Sequence, residues 1–450
     1  MKKSKLLALL CLSMAIIAAF ALGGCSLFDL SQTDDSFPYD GALGGGYTTD
    51  TRDEWLASQE TPSTIYRKMY EEAVADGSFT GSYYAFLQQL GLKGDDTPYI
   101  NNALCSVVSI RCGFVGTNTL SAGSGVVWSV DKTEGDMYII TNYHVLYNDS
   151  VINPMTNAIN VWLYGEEVNE RTMAAKFVGG TMEYDIALLL VDGDVVVRET
   201  DGGTHTNAEI VQSSSVVAAT FGDSDCVTLA ERVYAIGNPL GDGISVVSGI
   251  VSVTMEYVSI WTADKSKRVE IPEIRTDAPI NHGNSGGGLF NSAGELVGIV
   301  NARTESDGVV GFGYAIPINF AAALVRNLLD HEGEVITARL GIELTTYDSL
   351  GVYNARTGKT YIEEKVVIKL VSSGAGHSAG LKMGDTVMRA TLKSASGASI
   401  TVEITRRQKL VTLLLDVRQG DTLILTVSRD GKIQNIDVSF SSSSNFIKIA

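Results

Sequence analysis

The residues best suited to chemistry converge on Ser285. It lies in the run Thr276 to Phe290, which reads Thr-Asp-Ala-Pro-Ile-Asn-His-Gly-Asn-Ser-Gly-Gly-Gly-Leu-Phe. Three glycines follow the serine and Gly283 stands two positions before it, so the backbone can bend sharply and meet a substrate without Cβ clashes. Such a turn can aim the N–H groups of Gly283 and Ser285 at one point and stabilise an oxyanion. Two partners precede it in the chain. His144 follows the β-branched run Ile139-Ile140-Thr141, and Asp185 opens the apolar run Ile186 to Val191. In serine hydrolysis the roles would be Ser285 as nucleophile, His144 as proton carrier and Asp185 as the group that fixes the imidazole tautomer. A lone histidine is more often structural and a lone aspartate at a strand mouth more often a cap. Three such coincidences in one ordered set point to chemistry.

These segments resemble those of the HtrA/Deg family of serine proteases. The matching pieces are Gly123-Ser124-Gly125-Val126-Val127, the histidine and aspartate segments, Gly222-Asp223-Ser224, Ala235 to Gly241, the serine segment and Gly313 to Pro317. Together they extend over about residues 103–440. The resemblance implies a chymotrypsin-like double β-barrel followed by a PDZ domain. It also implies an endopeptidase acting on unfolded or damaged proteins, without a cofactor and as a homotrimer. Where the family carries proline, this chain has His282 and Gly288; Tyr184 and the long Gly-, Ser- and Thr-rich stretch between Val191 and Phe221 also depart from it. The position six before the nucleophile, at the base of the S1 pocket in such folds, is Pro279. With Ile280 and Val300 it forms an expected apolar S1 pocket that lacks an acid for a basic P1 residue. Leu340, Gly341 and Ile342 resemble a PDZ carboxylate-binding loop, which would hold peptide C-termini beside a free strand edge. Gly376 to Asp385 and the hairpin Gly420 to Gly431 fit the same domain, whereas Lys393 to Gln408 reads as irregular. The rival from another class is a catalytically idle, PDZ-bearing lipoprotein that binds or chaperones exposed termini.

Short β-rich runs separated by Gly, Asn, Asp and Ser turns must position these residues. The clearest are 107–110, 125–130, 138–141, 159–163, 186–191, 233–236, 296–301 and 313–316, with a helix over 319–329. Without βαβ alternation, this is the pattern of antiparallel barrels, a mainly β fold. Residues 51–92 read as helical, with Ile65, Met69, Ala73 and Val74 at helical spacing, and 47–56 loosely echoes 79–87.

The expected divisions are a signal peptide at 1–24, a flexible tether at 25–50, a helical region at 51–100, a protease domain at 101–332 and a PDZ domain at 333–450. The 450 residues exceed one ordinary core. A net charge of −18 argues against nucleic-acid partners, which demand basic patches. Lys2, Lys3 and Lys5 precede an apolar run from Leu6 to Leu22 that ends in Gly23-Gly24-Cys25. As a helix those 17 residues span about 25 Å, short of a ~30 Å hydrocarbon core. This pattern reads as a signal peptide with a lipobox-like end, so Cys25 is the expected lipidation site, tying the protein to the extracytoplasmic face of the cell membrane. No spacing suits a metal. Cys105 and Cys112, placed in one strand about 23 Å apart, are beyond disulfide reach and read, with Cys226, as free thiols.

Overall fold

The computed structural model describes residues 62–75, 77, 79, 83, 86, 96–117, 120–165, 171–198, 202–241, 243–301, 312–354 and 359–449. The signal segment, Cys25 and the tether lie outside them. Residues 1–94 form one unit and 95–450 a second. In the first unit, α1 (Pro62–Ala75) realises the helical spacing around Met69 and Ala73. Tyr70, Phe79, Tyr83 and Phe86 pack their rings with centroids 5.4–6.1 Å apart.

The second unit begins with α2 (Thr97–Leu104), whose Ile100, Ala103 and Leu104 join the protease core beside Phe290 and Leu296. The expected boundary at residue 100/101 therefore falls inside a helix that belongs to the β unit. Cys105 is corrected likewise: it caps α2 and does not share a strand with Cys112. Its β-like local sequence yields to the apolar face of the helix, which the barrels bury.

Six strands close the first barrel: β1 (Val107–Gly113), β2 (Leu120–Asp131), β3 (Asp136–Thr141), β4 (Ala158–Leu163), β5 (Met173–Thr181) and β6 (Ile186–Val191). Their order around it is β1-β2-β3-β6-β5-β4. Its core includes Val108, Ile110, Val127, Ile139, Leu189 and Val191. Closure covers both faces of β6, so that strand reads as an apolar run with little alternation. The long stretch between Val191 and Phe221 that departs from the family carries a small hairpin, β7 (Val196–Arg198) with β8 (Thr204–Thr206), and then α3 (Asn207–Ser213). A capping box between Thr206 and Glu209 starts α3, a signal legible in Thr-x-x-Glu. The two-residue β9 (Thr220–Phe221) follows.

The second barrel comprises β10 (Arg232–Gly237), β11 (Ser245–Trp261), β12 (Arg268–Thr276), β13 (Gly288–Asn291), β14 (Glu295–Val300) and β15 (Gly313–Pro317). Pairing of β13 with β14 closes the path β13-β10-β11-β12-β15-β14, and β9 adds to β14 in parallel. The β11–β12 hairpin extends well beyond the barrel, and its length was not apparent from local pattern because most of its side chains are only half-buried. Helix α4 (Ile318–Asp330) packs its apolar face against β6 and β14, close to the limits its periodicity predicts.

The chain continues through β16 (Val335–Ala338) into a separate β core that includes Leu340, Val366, Val387, Leu425 and Phe440. The sheet runs β17 (Ile342–Asn354), β18 (Lys359–Val371), β19 (Thr386–Lys393), β21 (Thr422–Arg429), β22 (Lys432–Ser439). The short helix α5 (Ala375–Ala379) ends at Gly380 in the left-handed region. Lys393 to Gln408 is more regular than expected: it forms β20 (Ser399–Glu403), paired to β19, and leads into α6 (Arg407–Leu415). Asp430 and Gly431, both at positive φ, make the tight turn between β21 and β22 that their sequence calls for. Strand β23 (Phe446–Ile449) returns to pair with β16. The arrangement is that of a chymotrypsin-like double barrel followed by a PDZ-type domain.

Candidate active site

The two barrels each contribute part of the site. His144 sits in a single 3-10 turn, Tyr143–Val145, directly after β3. Asp185 stands at the mouth of β6, fully buried, and Ser285 lies in the turn between β12 and β13. His144 Nδ1 is 2.7 Å from Asp185 Oδ2, and Nε2 is 2.9 Å from Ser285 Oγ. The backbone N–H of His144 also donates to Asp185 Oδ1 at 2.9 Å, so the carboxylate grips both ring and main chain. A carboxylate accepting from Nδ1–H leaves Nε2 to accept the Ser285 hydroxyl proton.

Asp185 adopts φ +53°, a strained region for a side-chain-bearing residue, although aspartate is among the least disfavoured there. Several contacts hold it. Asn142 Nδ2 and the Tyr143 N–H donate to its carbonyl at 2.9 and 3.3 Å. Tyr184 packs edge-on against Phe320 of α4, ring centroids 4.9 Å apart, and burial pushes its hydroxyl pKa up to about 12. Tyr184, a departure from the family pattern, thus ties the aspartate loop to α4.

The turn around Ser285 is organised by Ser124 on β2. The Ser124 N–H donates to the Ser285 carbonyl at 2.8 Å, and its Oγ donates to the Gly283 carbonyl at 2.7 Å. That Oγ also accepts from the Asn238 N–H at 2.8 Å. Gly283 and Gly286 sit at φ +98° and +82°. A Cβ at Gly286 would lie 2.2 Å from the Ser124 carbonyl, so this position admits glycine alone. Gly286 N–H donates to the Val300 carbonyl and Val300 N–H to the Gly287 carbonyl, joining the turn to β14. His282 is exposed beside this turn. The run Gly123-Ser124-Gly125 is plain in the sequence, but the role of Ser124 is not. Its signal was a polar residue fixed between two glycines in a strand whose neighbours are buried.

Among the expected S1 residues, Val300 and Ile280 belong to one apolar cluster with Ala278 and Ala315. Ile280 fills the space over Gly313, where a Cβ would lie 2.4 Å from it. Pro279 is exposed. In the C-terminal domain, Leu340 is buried and its carbonyl accepts from the Gly376 N–H. The carbonyl of Gly341, which sits at φ +73°, accepts from the Ser372 N–H at 2.7 Å, and Ile342 opens β17, one edge strand of its sheet. Helix α6 meets the protease: Arg406 donates to the Met255 carbonyl and Thr254 Oγ1, and the Arg407 guanidinium lies 3.6 Å from the Tyr257 ring centre. A cleft of about 770 Å³ opens there, lined by Trp128, Phe221, Met255, Tyr361 and Ile400 among others. None of His144, Asp185 and Ser285 lines it. The described residues contain no cluster suited to a metal ion and no helix long and apolar enough to cross a membrane.

Both the fold and this constellation are those of a trypsin-like serine protease, and the family model for a trypsin-like peptidase domain matches residues 123–299. The chain is 31% identical over 340 residues to the serine protease Do-like HtrA of Lactococcus lactis subsp. lactis (strain IL1403), covering 73% of each. It is 32% identical over 324 residues to the Do-like HtrA of Bacillus subtilis (strain 168), 69% of this chain and 61% of the relative. It is 30% identical over 361 residues to the periplasmic serine endoprotease DegP of Escherichia coli (strain K12), 78% and 65% of the two. Among solved structures, the HtrA-type protease AlgW with a tripeptide is similar, with a TM-score of 0.48 and 26% identity over 77% of this chain and 96% of that one. The chain belongs to the HtrA/Deg family and is a serine endopeptidase.

Proposed function

We propose that Ser285, His144 and Asp185 are the catalytic triad of an endopeptidase that degrades misfolded or damaged proteins at the outer face of a bacterial membrane. The observation that carries this reading is the hydrogen-bonded chain from Asp185 through His144 to Ser285, joined across two barrels. Ser285 attacks the scissile carbonyl as His144 takes its proton. His144 returns that proton to the leaving amine, and water hydrolyses the acyl-enzyme by the same route. The N–H groups of Gly283 and Ser285 receive the oxyanion, Pro279, Ile280 and Val300 form S1, and no cofactor takes part.

In this reading the protease runs from α2 to residue 332, and 333–450 act as the PDZ domain. A peptide C-terminus adds as a strand to β17, held at Leu340, Gly341 and Ile342. Diacylated Cys25 anchors the protein after removal of residues 1–24, the 25–50 tether lifts it off the membrane, and three copies assemble as a trimer. The location is supported by the lipobox-like Leu22 to Cys25 and by the periplasmic setting in the name of the E. coli relative. The test is labelling of Ser285 by a fluorophosphonate together with digestion of an unfolded protein. Ser285→Ala should abolish both, with a rate loss of around 10⁶-fold. Comparable digestion by the folded variant would sink the assignment.

A further inference from the structure

We propose that the tip of the β11–β12 hairpin is a brace for the two loops that carry His144 and Asp185, and that Lys265 and Lys267 are positioning residues for the reaction. The hairpin leaves the second barrel and brings its tip to the first. Lys267 pairs with Glu183, two residues before Asp185, and Lys265 Nζ lies 2.7 Å from Asp149 Oδ2, five residues after His144. One rigid element therefore grips both flanks of the site from the barrel that also supplies Ser285.

The tip itself is ordered. Thr262 Oγ1 and the Ser266 N–H both donate to Asp264 Oδ1, at 2.6 and 3.0 Å. The Arg268 guanidinium lies 5.3 Å from the ring centre of its cross-strand partner Trp261. Glu183 is about three-quarters shielded from water, which lessens the screening of its pair with Lys267, whereas the Lys265–Asp149 pair is exposed. The need for a brace follows from Asp185. A residue held at φ +53° stays there only while its surroundings over-determine it, and the segment Glu183-Tyr184-Asp185 enters that conformation directly. Tyr184 is fixed from one side by Phe320, Glu183 from the other by Lys267. Losing the second restraint allows the aspartate loop to relax, and the His144–Asp185 contact with it.

This inference rests on the triad reading above. Its test is the rate of Ser285 acylation by a fluorophosphonate in the full chain, for wild type, Lys265→Gln, Lys267→Gln and the double variant. Partly exposed pairs of this kind support an acylation rate lowered about two- to fivefold for Lys267→Gln, and more in the double variant. KM for a short peptide should be unchanged. Lys267→Arg should keep the wild-type rate, and Glu183→Lys combined with Lys267→Glu should recover it. Raising NaCl from about 0.05 M to about 1 M should slow the wild type and leave the double variant flat. Unaltered acylation in the double variant, or a lower melting temperature with an unaltered rate, overturns the brace alone. An unlabelled wild type overturns the triad reading and the brace together.

Discussion

Ser124→Ala tests how the nucleophile turn is held. The hydroxyl is fully buried and serves two partners at once, donating to the Gly283 carbonyl and accepting from the Asn238 N–H. Alanine fits the space but leaves a buried acceptor and a buried donor without their partner. Each such loss costs about 1–3 kcal/mol, less whatever the turn recovers by relaxing. Relaxation is itself damaging, because the carbonyl that Ser124 holds belongs to the residue whose N–H is proposed to face the oxyanion. If about 2 kcal/mol of bias toward the competent turn is lost, kcat falls roughly 30-fold at 1.36 kcal/mol per decade. Complete loss of one oxyanion donor, a drop of about 10²–10³, sets the upper limit. Steady-state hydrolysis of a peptide should show the fall in kcat with KM little changed, and fluorophosphonate labelling of Ser285 should slow in parallel. A kcat within twofold of wild type would refute this account of the turn.

The C-terminal domain carries an ion pair between a buried carboxylate and a partly exposed guanidinium, with a defined pH signature. Arg429 Nε and Nη2 contact Asp385 Oδ1 and Oδ2, each at 2.7 Å, and the Asp385 side chain is fully buried. Burial alone would raise the Asp385 pKa, but hydrogen bonds from Arg429 and the Lys382 N–H outweigh it and hold the carboxyl below 3.8. A folded pKa below the unfolded one adds stability above about pH 4, which is lost as pH falls through the folded value. Arg429→Met should therefore destabilise the protein by about 3–5 kcal/mol at pH 7, the deficit narrowing below pH 4; an unchanged thermal midpoint at neutral pH would contradict it. Cleavage should favour Val, Ala or Ile at P1, graded by about 0.8 kcal/mol per buried methylene, because the apolar Ile280–Val300 wall offers no acid. Mass spectrometry of a digested unfolded protein checks this, and predominant cuts after Lys or Arg would show the pocket misread. Cys25→Ser should remove the acyl mass increment of membrane-derived protein, and an unmodified Cys25 in the wild type would refute lipid anchoring.

Much of this protein was legible along the chain because chemistry and closed barrels leave local marks. A nucleophile in a tight turn needs glycines on either side, so Gly283-Asn284-Ser285-Gly286 is readable without coordinates. Strands 186–191 and 233–236 announce themselves because a barrel buries them on both faces, and the Asp430-Gly431 turn because two positive φ angles in succession favour those residue types. Other features depend on partners far away in sequence. The place of Cys105 at the end of α2 was decided by the apolar face that α2 buries against Phe290 and Leu296. The role of Ser124 arises only when β2 passes beneath a turn 159 residues later. Likewise, nothing local to Glu183 or Lys267 indicates that they meet across 84 residues, or that Tyr184 packs on Phe320 beside an Asp185 in a left-handed conformation. Residue types and spacing specify which groups can react, because reactivity is a property of the side chain and its immediate backbone. Orientation is a property of contacts between distant segments, and those exist only once the barrels have closed and packed together.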